Sequence, residues 1–152
     1  MSDALTFDPV TAADRALLEE LVRDYYAFDG HEYDAAEQGP ALDRICAGEP
    51  NARAFIIRDG GEAAGYLILS LGFSVEYGGT DGFIDELHLV EAWRGRGLGR
   101  AVMDVAERAA KEAGIRYLHL EVELHNARAR RLYDSRGYED SGRTLMSKRL
   151  AD

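Results

Sequence analysis

"ELHLVEAWRGRGLGRAVMDVAERAAKEAG", residues 86–114, changes its period halfway along. Up to Val90 it continues the run "FIDELHLV", residues 83–90, which reads as a strand. From Leu98 the spacing becomes helical: Leu98, Ala101, Val102, Val105, Ala109 and Ala113 form one apolar stripe, with Arg100, Asp104, Arg108 and Lys111 off it. Gly114 stands where a helix of this length ends. Between the two elements lie Gly95, Gly97 and Gly99. Glycine costs a helix interior about 1 kcal/mol against alanine, so its crowding at a helix start points to something that must approach the backbone. A strand that turns through glycines into a helix presents free N–H groups at the positive end of the helix dipole. Without side chains in the way, a phosphate oxygen can reach those donors. Arg94, Arg96 and Arg100 add positive charge around them. The expectation is a phosphorylated ligand.

Working outward, "TAADRALLEELVRDYYAFDG", residues 11–30, reads as a helix with Thr11 placed to cap it. "ALDRICAG", residues 41–48, reads as a second, shorter one. "AFIIRDGGEAAGYLILSL", residues 54–71, gives two strands around Asp59-Gly60-Gly61, and a further strand pair flanks Gly78-Gly79. In "YLHLEVEL", residues 117–124, Leu118, Leu120, Val122 and Leu124 alternate with polar residues, as in a strand. Asn126 then starts a short helix closed by Gly137, and "YEDSG" with "TLMSKRL" suggests a final strand pair. One strand–turn–helix–strand crossover inside a mostly antiparallel chain gives an α+β fold in a single domain, residues 1–152.

The bulk properties agree with a soluble, cytoplasmic protein of one domain. The start "MSDALTFDPV" lacks the basic region and apolar core of a signal peptide. "GYLILSLGFSV", residues 65–75, is too short and interrupted to span a bilayer, so no membrane partner is expected. Cys46 is the single cysteine, which rules out an internal disulfide. Residues 1–90 carry five arginines against eighteen carboxylates, a balance of −13, whereas residues 91–152 come to +3. That excess of acid argues against nucleic acid. It reads either as a solvated surface or as two halves that handle ligands of opposite sign. His31, His119 and His125 lack ligand spacing, and no metal is expected.

Two classes of phosphorylated ligand compete for the turn. A dinucleotide fingerprint needs G-x-G-x-x-G, and Arg100 stands where its third glycine belongs. The Walker pattern is absent. The alternative is acyl-coenzyme A. Residues 86–114 resemble the coenzyme-binding motif of the GNAT superfamily of N-acetyltransferases, R/Q-x-x-G-x-G/A after a strand, with Arg94, Gly97 and Gly99 at its fixed positions. Downstream, "LEVELHNARARRLYDSRGY", residues 120–138, resembles that superfamily's strand, Asn and helix bearing L-Y-x-x-x-G-F/Y, with Asn126, Leu132, Tyr133, Gly137 and Tyr138 in place. Two motifs in the right order and spacing make the resemblance specific. It implies a GNAT-like fold: a mostly antiparallel sheet with one parallel, splayed strand pair, flanked by about four helices.

The resemblance also implies acetyl-coenzyme A as co-substrate, its pyrophosphate held by amides among Gly95, Arg96, Gly97, Leu98, Gly99 and Arg100. Leu89 would offer a backbone amide to the thioester carbonyl, and Asn126 would touch the coenzyme arm. Acetyl transfer to an amine needs the neutral amine. With a pKa near 10.4, only about 1 part in 10³ is neutral at pH 7, a cost of roughly 5 kcal/mol. Asp85 and Glu86, on the strand that leads into the turn, are the candidate bases. Strict alternation points them to opposite faces unless a bulge intervenes. Tyr133 matches the tyrosine that protonates the departing sulfur, with core packing as its other reading. His88 shares a face with Glu86 and reads as a partly buried structural histidine. Tyr26, Phe28, Asp29, Glu32 and Tyr33, with Glu76, Tyr77 and Asp81, are the candidates for the acceptor, where rings and carboxylates suit a cation. The acceptor expected is a small cationic amine, with a protein amine open, and a homodimer is a family-level expectation. A catalytically silent acyl-coenzyme A-binding module is the competing function.

Overall fold

The computed structural model describes residues 5–152. The leader reading rests partly on residues 1–4, which lie outside the described residues. The chain divides into two compact units, one ending at Glu121 and one beginning at Val122.

The first unit runs β1 (Leu5–Pro9), α1 (Arg15–Asp29), α2 (Ala35–Cys46), β2 (Ala52–Asp59), β3 (Glu62–Ser74), β4 (Gly79–Leu89), α3 (Gly99–Glu112) and β5 (Tyr117–His119). Its five strands lie in the order β1-β2-β3-β4-β5. All neighbours are antiparallel except β4 and β5, which run parallel. That parallel ladder covers only Asp81–Phe83 against Tyr117–His119. From Ile84 to Leu89, β4 continues with β3 alone.

The apolar residues sort to the two faces of the sheet. On one, Ile56, Tyr66 and Ile68 pack with Leu18, Leu21, Val22 and Leu42 of α1 and α2. On the other, Leu67 and Leu69 pack with Ala106, Ala110 and Ile115, while Ile57 and Ala64 meet Val102. With helices on both faces, β3 is buried from Ala64 to Leu69 and reads as one continuous apolar run. Each fully buried Leu or Ile there contributes about 1.5–3 kcal/mol.

Several boundaries differ from the sequence reading for local reasons. Thr11 opens a 3-10 turn, its N–H donating to the Asp14 carboxylate at 2.9 Å, and α1 begins only at Arg15. α2 starts six residues before "ALDRICAG": Asp34 Oδ1 accepts the Ala36 N–H at 2.9 Å, and the Asp34 N–H donates to Gln38 at 2.8 Å. The helix tolerates Pro40 in its interior. The buried side of α3 is Val102, Met103, Ala106 and Ala110, so the stripe is rotated by one position from Ala101, Val105, Ala109 and Ala113, which are half-buried. In an alanine-rich helix either row satisfies the period. β1 has no counterpart in the sequence reading.

The second unit holds α4 (Ala127–Ser135), with Asn126 accepting the Ala129 N–H at 3.1 Å and Gly137 in the left-handed region past the end, at φ +90°. Three expected strands are corrected. "YLHLEVEL" is ladder only at Tyr117–His119. Residues 139–152 form no strand at all, and Leu145, Met146 and Leu150 are exposed. Alternation supplies the pattern of a strand, but the ladder needs a partner backbone, and these residues pair with none among the described residues.

Candidate active site

β4 carries the first half of the site. Its register with β3 shifts between Ile68 and Leu69, so Ile68 faces Glu86 and Leu69 faces Ile84, leaving Asp85 unpaired in a β-bulge. The bulge breaks strict alternation. Ile84 and Leu87 join the apolar cluster on the α3 side, while Glu86 and His88 point to the α1 side. Asp85 stays exposed at the bend, though the protein packed around its carboxyl raises its pKa.

Glu86 is held from two sides. Tyr66 on β3 donates its hydroxyl to Oε1 at 2.8 Å, and Tyr26 on α1 donates to Oε2 at 2.8 Å. Burial pushes the Glu86 pKa above the usual carboxylate range, and the two hydroxyl contacts offset only part of that rise. Burial and the Glu86 charge in turn push both tyrosines well above 10. The result is a carboxylate of fixed orientation and raised basicity. Tyr66 was not singled out in the sequence: a single hydroxyl inside an apolar strand looks like core.

Two residues further along, His88 is 4% exposed, and its Nε2 lies 2.7 Å from Asp24 Oδ2 on α1. Burial lowers its pKa, against the opposing pull of Asp24. This is the structural histidine the sequence suggested, with Asp24 as the partner that helical spacing alone did not reveal. Gly65 lies across from Leu89: a Cβ there would run into the His88 carbonyl oxygen, so β3 and β4 approach too closely for any side chain.

After Leu89 the chain makes a short 3-10 turn, Glu91–Trp93, and enters the glycine segment. Arg94 Nε donates to the Leu89 carbonyl at 2.8 Å, so the end of β4 and the start of the turn are tied together. Gly95 and Gly97 both have φ +72°, a conformation that favours glycine, and a Cβ on either would meet nothing within 4 Å. Gly99 is the first residue of α3 and is not in the left-handed region. No side chain caps α3, and its first backbone bond runs from the Val102 N–H to the Leu98 carbonyl. The donors at its start follow a turn whose Gly95 and Gly97 have open space where a Cβ would stand. That arrangement fits an anionic group such as a pyrophosphate. Arg96 and Arg100 are exposed beside it.

The acceptor candidates are divided among several environments. Tyr26 is bound to Glu86. Asp29 pairs with His31 at 2.8 Å, and Glu32 is exposed. Two of the rings have a face occupied by an arginine of the chain itself: Arg94 lies 3.9 Å from the Phe28 ring centroid, and Arg23 lies 4.1 Å from that of Tyr33. The Tyr33 hydroxyl is buried without a hydrogen-bond partner among the described residues. At the far end of β4, Asp81 pairs with His119 at 3.0 Å, with the Tyr77 and Phe83 rings tilted against that imidazole.

In the second unit, the Asn126 side-chain oxygen caps α4. Tyr133 is half-buried, in edge contact with Tyr138 at 6.0 Å, and burial raises its pKa.

Residues 15–138 match the sequence pattern described as the Acetyltransferase (GNAT) family. The chain is 36% identical over 75 residues to an uncharacterized N-acetyltransferase, YycN, of Bacillus subtilis strain 168, covering 49% of this chain and 47% of that protein. The match therefore spans about half the length of that relative. It is 27% identical over 110 residues to the aminoalkylphosphonate N-acetyltransferase of Salmonella typhimurium strain LT2, covering 72% of this chain and 70% of that one. Among solved structures it is similar to an integron cassette protein, HFX_CASS3, from the mobile metagenome of Cole Harbour Salt Marsh. The TM-score is 0.80 at 29% identity, over 99% of this chain and 93% of that one.

Proposed function

The chain belongs to the acetyltransferase (GNAT) family, and from that premise we propose that it transfers the acetyl group of acetyl-coenzyme A to the primary amine of a small cationic molecule. One observation carries the reading: just past its bulge β4 presents the half-buried Glu86 carboxylate, held by two hydroxyls, and a short 3-10 turn leads from its end into the glycine segment that opens α3. A base near the end of a strand and an anion-binding turn a few residues beyond it suit direct transfer between two bound substrates.

Bound acetyl-coenzyme A would supply an activated thioester. Amides between Gly95 and Arg100 would hold its pyrophosphate, with Arg96 and Arg100 adding charge, and the Leu89 amide would polarise the carbonyl. Glu86 is the base in this reading. Its orientation is fixed by Tyr26 and Tyr66, and its raised pKa narrows the gap to the ammonium it must deprotonate, directly or through one water. Asp85, exposed at the bulge, adds negative charge that favours a cationic acceptor. Tyr133, by its place in the second motif, serves as the acid that returns a proton to the departing thiolate; a tyrosine hydroxyl carries its proton at neutral pH, and the burial that raises its pKa only strengthens that hold. The relative that acts on aminoalkylphosphonates supports a small amine as acceptor.

The test is thiol release from acetyl-coenzyme A against a panel of diamines, amino sugars, aminophosphonates and peptide amines. Turnover with a small cationic amine is expected. Tight coenzyme binding with no turnover on any member would assign a silent binding module instead.

A further inference from the structure

Phe28 is 64% exposed. One face of its ring is nonetheless covered by the Arg94 guanidinium, with the Cζ carbon 3.9 Å from the centroid. One helical turn earlier on α1, Asp24 lies 3.8 Å from the same guanidinium and 2.7 Å from His88 Nε2. Residues four apart share a helix face, so α1 presents an aromatic ring and a carboxylate to one arginine. Arg94 also touches His88 Nε2 at 3.5 Å and donates its Nε to the Leu89 carbonyl at 2.8 Å. Tyr26, which falls between Asp24 and Phe28 in sequence, reaches Glu86 instead. The last turns of α1 therefore hold β4 at two points, the base and the entry to the glycine turn.

We propose that Phe28 and Asp24 are positioning residues for the coenzyme: by holding Arg94 they fix the Leu89 peptide and the start of the turn in the conformation that receives the pyrophosphate and the thioester. This rests on the coenzyme reading of that turn. It reassigns Phe28, which in sequence looks like part of an acceptor cage, to the other substrate. The physical basis is that the arginine is ordered before ligand arrives. A guanidinium over a ring and beside a carboxylate loses little further freedom on binding. Without those partners, Arg94 and the peptide it holds must be ordered by the coenzyme itself.

The experiment is calorimetric titration of acetyl-coenzyme A into the parent protein and the variants Phe28→Leu, Phe28→Tyr and Asp24→Asn. Leucine keeps apolar bulk and removes the π face; tyrosine keeps the face. Phe28→Leu should weaken binding about three- to ten-fold, with Phe28→Tyr within about two-fold of the parent on the same scale. Asp24→Asn should weaken it in the same direction. In steady state, the KM for acetyl-coenzyme A should rise while the KM for the amine at saturating coenzyme stays put. Because Phe28 is exposed, the ligand-free Phe28→Leu protein should melt close to the parent. Parental affinity in both Phe28→Leu and Asp24→Asn overturns the proposal, as does a rise in the amine KM alone. A parent protein that binds no acetyl-coenzyme A is a distinct result, one that overturns the coenzyme reading and this proposal with it.

Discussion

Glu86 joins two properties that push its pKa in opposite directions: it is largely buried, and it accepts a hydrogen bond at each carboxylate oxygen. Burial raises its pKa and the hydroxyls restrain the rise, leaving a carboxylate more basic than one at the surface. Glu86→Gln keeps the shape and one of the two acceptor oxygens while deleting the base. Turnover should fall by roughly 10²-fold, and the acidic limb of the kcat–pH profile, set above the usual carboxylate range, should vanish. The stability sign is opposite to that of a salt-bridged acid. Since the folded pKa lies above the unfolded one, the side chain favours the fold most at low pH, and that contribution is lost as pH rises through the folded value. The Gln variant should therefore melt at or above the parent temperature at neutral pH. A lower melting point with normal turnover would make Glu86 a structural partner of the two tyrosines. The orientation of this residue was not fixed by the sequence alone. Alternation puts Asp85 and Glu86 on opposite faces, and the bulge that overrides it depends on pairing with β3, which periodicity does not encode.

The glycine turn and α3 were legible as elements because a change of period is a local signal: the peptide backbone writes strand and helix into the spacing of neighbouring residues. The roles of the individual glycines were not. Gly95 and Gly97 need their residue type for the backbone, at φ +72° each, whereas Gly99 sits in ordinary helical conformation as the first residue of α3. Only Gly99 can thus be changed without forcing a strained conformation, and it separates ligand approach from folding. Gly99→Ala should hold or raise the melting temperature, since alanine is the better helix former by about 1 kcal/mol. It should weaken acetyl-coenzyme A binding at least tenfold in a calorimetric titration if a phosphate passes over that Cα. Unchanged affinity would place the pyrophosphate elsewhere. The missed elements share one cause. β1 pairs with a strand more than forty residues away, "LEVEL" alternates without gaining a partner beyond His119, and the early start of α2 depends on Asp34 and Gln38 meeting across one turn. Each is decided by a contact rather than by a pattern.

At the scale of the whole molecule, the family was readable because its two motifs are sequence-local, while the α1 contacts that hold Glu86, His88 and Arg94 are not. Asp24, Tyr26 and Phe28 came from a helix recognised for its apolar face, yet their polar side reaches β4. The charge division follows the same line: the acidic half of the sequence contains the α1–α2 segment and Glu86, and the basic half begins where the glycine turn does. The sheet order β1-β2-β3-β4-β5 also sets a timetable. β2, β3 and β4 are consecutive in the chain, joined through Gly60-Gly61 and a turn of four residues, Val75–Gly78, so their ladders close over short loops. β1 must wait for two helices to be laid down, and β5 for the crossover through α3. Closing the longer loops demands more entropy and comes later. In pulse-labelled hydrogen exchange during refolding, amides of β2–β4 should gain protection first and those of β1 and β5 last. The three-strand meander would then stand as the template on which both binding elements are assembled, and the bulge that aims the base would be set before either substrate surface exists.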